Sequence, residues 1–288
     1  MPSLGKHHIW HATYQDSYYL PFRNRSIKVV LTIHDLNFLY DPKKQEFKKQ
    51  RNLRRVQMLI DRADVIVCVS EFCKKDVLFY CDLKNKPLHV IYNGTNSLCQ
   101  PVLSRFSYRP HKPFLFTIGT VLRKKNFHSL LPLVHKDSDM ELVIAGRIDD
   151  PGYAHSIHQM ALCMGITDNI RLIGPVSEEE KAWYFENCCA FAFPSISEGF
   201  GLPVTEAMSV GKPLFLSNKT ALPEIAGNVA FYFKDFSETS MLETFQAGMK
   251  QYKLFNMSED IINKGKSFCW KQAALQYLEV YRTLGTNA

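Results

Sequence analysis

CAFAFPSISEGFGLPVTEAMSVGKPLFLS, residues 189–217, decides the fold. It opens on a short continuous apolar run, CAFAFP, and crosses a polar loop, SEGFGL, with two glycines. It continues through PVTEAMSV, with Pro203 at a helix start and Gly211 at its close, and returns to a second apolar run, PLFLS. Proline suits the first helical turn, where its missing N–H is not needed, and glycine suits the residue after the last turn. A fully apolar strand, a loop, a helix and another apolar strand form the repeating unit of a parallel sheet covered on both faces. The same alternation extends outward through FLFTIG (114–119), ELVIAG (141–146), NIRLIG (169–174) and VAFYF (229–233), with helical segments at 178–187 and 220–227. This pattern predicts a doubly wound α/β domain.

The first half repeats the theme more sparsely, in IKVVLTIHD (27–35), ADVIVCVS (63–70) and LHVIYNG (88–94). Three clear strands predict a second, incomplete α/β domain. The expected division is 1–96 for that domain, 97–112 for a linker rich in proline and basic residues, 113–266 for the complete domain and 267–288 for a closing helix. In that helix Phe268, Ala274, Tyr277, Leu278 and Tyr281 fall at helical spacing on one line.

The chain has 288 residues, 46% hydrophobic and 22% charged, a length that favours two domains. No run approaches the roughly 18 apolar residues of a membrane span. His7, His8 and His11 stand where a secretory apolar segment would lie, so a cytoplasmic protein is expected. The eight cysteines show no metal or disulfide spacing and read as reduced thiols. The charge is unevenly placed: residues 1–110 carry 18 Lys and Arg against 9 Asp and Glu, and the remainder 17 against 19. Much of the excess lies between Lys43 and Arg62, where Phe47, Leu53, Val56 and Ile60 form a helical stripe among Lys44, Lys48, Lys49, Arg51, Arg54 and Arg55. Such a segment is either a solvated helix face or a surface for anionic lipid headgroups or a phosphorylated acceptor, and headgroup binding would place the protein at the inner face of the plasma membrane. No aromatic-interleaved or helix-turn-helix pattern accompanies it, so no nucleic-acid partner is expected.

In the deciding stretch, unpaired backbone N–H groups and the positive end of a helix meet at the carboxyl edge of a parallel sheet, where phosphates bind. Gly199 and Gly201 are expected to let the backbone approach closely. Two carboxylates eight positions apart, Glu198 in the loop and Glu206 in the first helical turn, suit vicinal hydroxyls because each accepts two hydrogen bonds in a fork. Glu206 also reads as a complement to the helix dipole, and Glu198 as a solvated loop residue. His34, at a strand end, is a candidate base for an acceptor hydroxyl or a structural histidine, while Asp35 and Ser70 read as helix caps. His7, His8 and His11, like His155 and His158, bring no carboxylate or cysteine at ligand spacing, so no metal site is expected.

SEGFGLPVTEAMSVGKP closely resembles the Glu-x7-Glu signature of retaining glycosyltransferases of family four, which have the GT-B fold of two Rossmann-like domains facing a cleft. TIGTVLRKKNF (117–127) resembles the family's glycine turn with a downstream lysine, and VSEFCKKDVL, VIYNG and TIHDLNFLYDP resemble its acceptor-side domain. The resemblance implies that Glu206 binds the nucleotide ribose, and that Glu198 with the backbone of Gly199, Phe200, Gly201 and Leu202 binds donor sugar and phosphates. It also implies that Lys125, beside the Gly119 turn, binds the diphosphate. Thr120 stands where many members carry arginine, so a second phosphate-binding cation would be Arg123 or Lys124. Members usually begin with a strand and glycine-rich loop before the point matched by IWHATYQDSYYLPF (9–22), and none precedes His7, so the acceptor-side domain is expected to be incomplete.

The implied reaction moves a hexose from a nucleotide diphosphate sugar to a lipid-linked or polysaccharide acceptor, with retention and without a metal. Lys125, Glu198 and His34 are the candidate catalytic residues. A non-catalytic nucleotide-sugar-binding protein and a nucleotide-sugar epimerase are the alternatives.

Overall fold

The computed structural model describes residues 8–17, 19–41, 43–98, 106–135 and 139–285. His7, Cys99 and residues 99–105 of the expected linker lie outside them. The chain forms two compact units. Unit 1 comprises Met1–Gly94, Glu198–Phe200 and Cys269–Ala288, and unit 2 comprises Thr95–Ser197 and Gly201–Phe268.

Unit 1 runs through β1 (Ile9–Ala12), β2 (Lys28–Ile33), α1 (Glu46–Arg62), β3 (Val65–Cys68), α2 (Glu71–Tyr80) and β4 (Leu88–Val90). Its strands are parallel, in the order β1-β2-β3-β4. Strand β1 is the strand not expected from sequence. Only Ala12 of its four residues is fully buried, so it lacks the apolar run that marks the others. Alternation along the central strands serves two faces. Leu31, Ile33, Ile66 and Cys68 pack with Val56, Leu59 and Ile60 of α1 and Cys73 and Val77 of α2, whereas Val30, Val65 and Val67 meet a helix from the far end of the chain.

Arg62, expected on the basic surface, is instead buried. Its guanidinium donates to the carbonyls of Pro21, Asn24 and Ile27 and pairs with Asp64. Phe47, expected on the packed stripe, is 61% exposed. Lys49 donates to the Leu39 carbonyl and Arg55 to the Asp16 carbonyl, so these two also tie α1 to its own unit.

Unit 2 runs through β5 (Phe114–Ile118), α3 (Leu131–His135), β6 (Glu141–Ala145), α4 (Pro151–Cys163), β7 (Ile170–Gly174), α5 (Glu178–Asn187) and β8 (Ala190–Phe193). It continues through α6 (Leu202–Ser209), β9 (Leu214–Ser217), α7 (Leu222–Ala226), β10 (Phe231–Phe233), α8 (Glu238–Phe255) and α9 (Ser258–Lys266). All pairings are parallel, and the order is β10-β9-β8-β5-β6-β7. Within this unit that is the dinucleotide-binding order 3-2-1-4-5-6, and strand order reverses between β5 and β8. Neighbouring residues of β5 point to opposite layers. Leu115 joins Leu142, Ile144 and Phe215, while Phe116 stacks on Tyr184 at 5.2 Å and meets Phe185 edge-on.

Residues 106–112, read in sequence as linker, lie against unit 2. Tyr108 Oη donates to Glu141 at 2.6 Å, the backbone of His111 and Lys112 donates to the same carboxylate, and Tyr184 donates to the Tyr108 carbonyl.

The last helix, α10 (Trp270–Gly285), covers the second face of the unit 1 sheet. Its packed line is Ala273, Tyr277, Val280, Tyr281 and Leu284, whereas Ala274 and Leu278 of the expected stripe are exposed. Burial of a side chain the size of Val280 contributes about 1.5–3 kcal/mol. The polar side of this contact is satisfied as well. His11 bonds Thr32 Oγ1 through Nε2 at 2.8 Å and Tyr281 Oη through Nδ1 at 2.7 Å, and Tyr277 Oη reaches Thr32 at 3.0 Å.

Candidate functional site

In a doubly wound sheet the carboxyl ends of the strands flanking the reversal leave a crevice that neither crossover helix fills. In unit 2 those ends are residues 119–125 after β5 and 194–197, with Gly201, after β8. Both loops come from the segments singled out in sequence. They are tied together: Ile196 N donates to the Lys124 carbonyl at 2.8 Å and Ser195 Oγ to the same oxygen at 3.3 Å. Ser195 is itself fixed from the next strand, because Ser217 Oγ donates to its carbonyl at 2.5 Å.

Lys125 closes a short 3-10 turn formed by Arg123–Lys125. Its stem lies over Gly119, where a Cβ would come within 3.3 Å of Lys125 Cε, and its ammonium sits 4.9 Å from the centre of the Phe193 ring. One cation thus spans the ends of β5 and β8, at the reversal itself. Gly119 is held by Gly146, the residue after β6. Gly146 has φ +129°, and a Cβ there would fall 2.1 Å from the Gly119 carbonyl oxygen. Thr120 is half-buried in the same turn. Arg123, a candidate second phosphate cation, leans over the Tyr153 ring of α4 at 5.5 Å, with Asp150 at 4.0 Å. Lys124 contributes its carbonyl to the loop junction.

Helix α6 begins at Leu202 after Gly201, which has φ +104°. Glu206 is its fifth residue and lies beyond the first turn, so the expectation of a first-turn dipole complement is corrected. The carboxylate is 6% exposed, and its Oε1 accepts from Lys181 Nζ at 2.8 Å. Burial lifts the Glu206 carboxyl above the usual carboxylate range, and the Lys181 ammonium opposes that shift. Burial also works against the Lys181 charge, but hydrogen bonds to Glu178 and Glu206 outweigh it and hold the ammonium above its ordinary range. Lys181 is placed by a capping box at the start of α5, in which Ser177 Oγ accepts from Glu180 N and Glu180 accepts from Ser177 N. In sequence it reads as part of a charged helix face, SEEEK, and nothing local announces that it meets a residue 25 positions on.

Glu198–Phe200 belongs to unit 1 by its contacts. Ser70, fully buried at the start of α2, accepts from Cys73 N and donates through Oγ to the Gly199 carbonyl at 2.6 Å. A Cβ at Gly199 would come within 1.9 Å of the His34 carbonyl oxygen. Gly199 is therefore required by close backbone approach to His34. Phe200 is buried and meets the Tyr92 ring at 6.3 Å, and Glu198 is half-buried. His34 lies at the end of β2. Its Nε2 bonds the Thr13 carbonyl at 2.9 Å, which assigns the proton to Nε2 in the neutral ring and leaves Nδ1 as the acceptor. Gln15 braces the same segment, accepting from His34 N and donating to the Asp35 carbonyl.

Among the described residues no cluster of three His, Cys, Asp or Glu side chains could hold a metal ion, and no helix is long and apolar enough to cross a membrane.

Residues 104–268 match the family model for glycosyl transferases group 1, and residues 6–97 match that for glycosyltransferase family 4. The O-antigen chain mannosyltransferase B of Escherichia coli is 26% identical over 97% of this chain and 75% of its own length. The O-antigen chain mannosyltransferase RfbU of Salmonella typhimurium is 28% identical over 76% of this chain and 59% of its own length. In fold, sucrose-phosphate synthase from Thermosynechococcus elongatus superposes with a TM-score of 0.77 at 19% identity, covering 91% of this chain and 69% of that one. HepE of Anabaena, solved with UDP and glucose, superposes with a TM-score of 0.71 at 16% identity, covering 90% and 71%. Two parallel Rossmann-like units of GT-B type and family models matching both halves lead to one conclusion: the chain belongs to the glycosyl transferases group 1 family.

Proposed function

We propose that this chain transfers a hexose, with retention of configuration, from a nucleotide diphosphate sugar to a lipid-linked or polysaccharide acceptor, and that the hexose is mannose. The observation that carries the reading is Lys125, whose side chain spans Gly119 after β5 and the Phe193 ring of β8, over the strand-order reversal of unit 2. Breaking a sugar–diphosphate bond puts negative charge on the leaving group, and preorganised cations and helix N-termini stabilise that charge. Lys125 and the first turn of α6 would hold the diphosphate, Glu206 the ribose diol and Glu198 the donor sugar. His34, with Nδ1 available, would accept the proton of the acceptor hydroxyl. Attack on the donor face that the leaving group departs from needs no protein nucleophile, and with Lys125 at the diphosphate the reaction should proceed in EDTA.

Mannose is favoured because both O-antigen relatives are named as mannosyltransferases. The test is incubation with GDP-mannose and a mannose-terminated oligosaccharide on a lipid carrier, with the new linkage read by NMR. Transfer giving an α-linked product supports the proposal. Donor binding with neither transfer nor hydrolysis would favour a nucleotide-sugar-binding protein instead.

The inner face of the plasma membrane is the proposed location, with α1 as the contact. Phe47 is exposed among the exposed cations Lys43, Lys48, Arg51 and Arg54, which suits a surface of anionic headgroups. Charge reversal of those four cations should abolish pelleting with phosphatidylglycerol vesicles at low salt, since each contributes about 1 kcal/mol. A variant that still pellets removes α1 from the contact.

A further inference from the structure

The proposed donor site uses Glu206 as a hydrogen-bond acceptor, yet its carboxylate is buried, and burial favours the uncharged acid, which accepts fewer hydrogen bonds. Lys181 answers this. Its Nζ lies 2.8 Å from Glu206 Oε1 and 2.8 Å from Glu178 Oε2, so a single buried ammonium joins α5 to α6. The geometry takes one lone pair of Oε1 and leaves Oε2 and the second lone pair of Oε1 for a ligand. Glu178 is mostly solvent-exposed, while Glu206 is buried. The arrangement is also local to this chain's α5: the capping box of Ser177 and Glu180 fixes the first turn, and Lys181 follows directly.

We propose that Lys181 is a positioning residue for nucleotide binding, which keeps Glu206 ionised and oriented so that its remaining lone pairs accept both hydroxyls of a ribose. The inference rests on the reading of Glu206 as the ribose ligand. A lysine that merely joined two helices would affect stability alone. A lysine that sets the charge of Glu206 controls how binding depends on pH and on the 2′-hydroxyl.

The test is titration calorimetry with UDP, GDP and ADP and their 2′-deoxy counterparts. Wild type is compared with Lys181→Met, Lys181→Gln and Glu206→Gln between about pH 6 and about pH 8.5. Affinity is taken as the ratio of variant to wild type at each pH, so that titration of the terminal phosphate cancels. Lys181→Gln keeps a hydrogen-bond donor without charge and serves if Lys181→Met does not fold. In the Lys181 variants the ratio should fall at least tenfold from the alkaline to the acid end, and the preference for ribose over deoxyribose should shrink with it. Glu206→Gln should bind weakly at every pH with a flat ratio. A flat ratio for the Lys181 variants, with Glu206→Gln impaired, overturns the positioning role alone. Wild-type affinity in Glu206→Gln, or no binding of any of the three nucleotides to the wild type, overturns the donor-site reading and this inference with it.

Discussion

Replacing Gly146 with alanine should damage unit 2 through a backbone contact with Gly119. Two costs add. At φ +129° an alanine occupies backbone territory reserved for glycine, at about 1–3 kcal/mol. Its Cβ would also lie 2.1 Å from the Gly119 carbonyl oxygen and 2.7 Å from the Gly119 carbonyl carbon, and both are backbone atoms that cannot rotate away. Relieving such an overlap costs about 1–3 kcal/mol. A central value of about 4 kcal/mol corresponds to a fall of roughly 8–16 °C in the melting temperature of a unit this size. Gly165→Ala is the control. Gly165 has φ +68° but no atom within 4 Å of the added methyl, so only the backbone cost of about 1–2 kcal/mol applies. Differential scanning calorimetry reads both. Because the Gly119 turn must move to admit the methyl, folded Gly146→Ala should also bind nucleotide more weakly than Gly165→Ala. Equal melting temperatures for the two variants, or a loss under about 3 °C for Gly146→Ala, would refute the claim that Gly146 fixes the Gly119 turn.

Other expectations follow from the same geometry. Lys125→Ala should lower the single-turnover rate of sugar transfer by about 10²–10³-fold, well beyond its effect on donor affinity, since leaving-group charge grows in the transition state; a defect confined to affinity would contradict its role. Ser70→Ala removes a helix cap and a buried hydrogen bond to Gly199, a loss of about 1.5–2.5 kcal/mol in denaturant unfolding, and a loss under about 0.5 kcal/mol would show that neither bond matters. Burial, and then the neighbouring His34, hold His11 below its ordinary value of 6.5. The folded chain therefore binds fewer protons than the unfolded one, and this share of stability is full above pH 6.5 and is lost as pH falls below it. Melting temperatures should accordingly fall more steeply toward acid in wild type than in His11→Asn, and parallel curves would count against it.

The sequence revealed most where burial is complete. FLFTIG, ELVIAG, CAFAFP and PLFLS are each buried on both faces, so their apolar runs are unbroken and the six-stranded sheet could be read directly. Strand β1 escaped because its edge position leaves Ile9, Trp10 and His11 only half-buried, and no run forms. The signature loop stood out in the sequence as a candidate site, but two of its structural reasons did not. Gly199 serves a contact with the His34 carbonyl, far away in sequence, and periodicity carries no trace of that approach. Glu206 was visible, whereas its partner was hidden, because a lysine following three glutamates looks like any solvated helix face. Arg62 misled for the same reason: its charge is spent on three carbonyls inside unit 1, a use indistinguishable in sequence from the exposed cations beside it. In α10 the stripe was misplaced around Ala274 and Leu278, since apolar residues also occupy its exposed side.

The central claim is that a nucleotide sugar binds at the reversal of strand order in unit 2, on the turn after β5 and on α6. Hydrogen–deuterium exchange of the full chain with and without GDP-mannose tests it most directly. Exchange should slow in peptides spanning 117–127 and 195–208, which contain Gly119, Lys125 and Glu206, and should stay unchanged across α9. Protection confined to other segments, with these two exchanging as in the free protein, would contradict it.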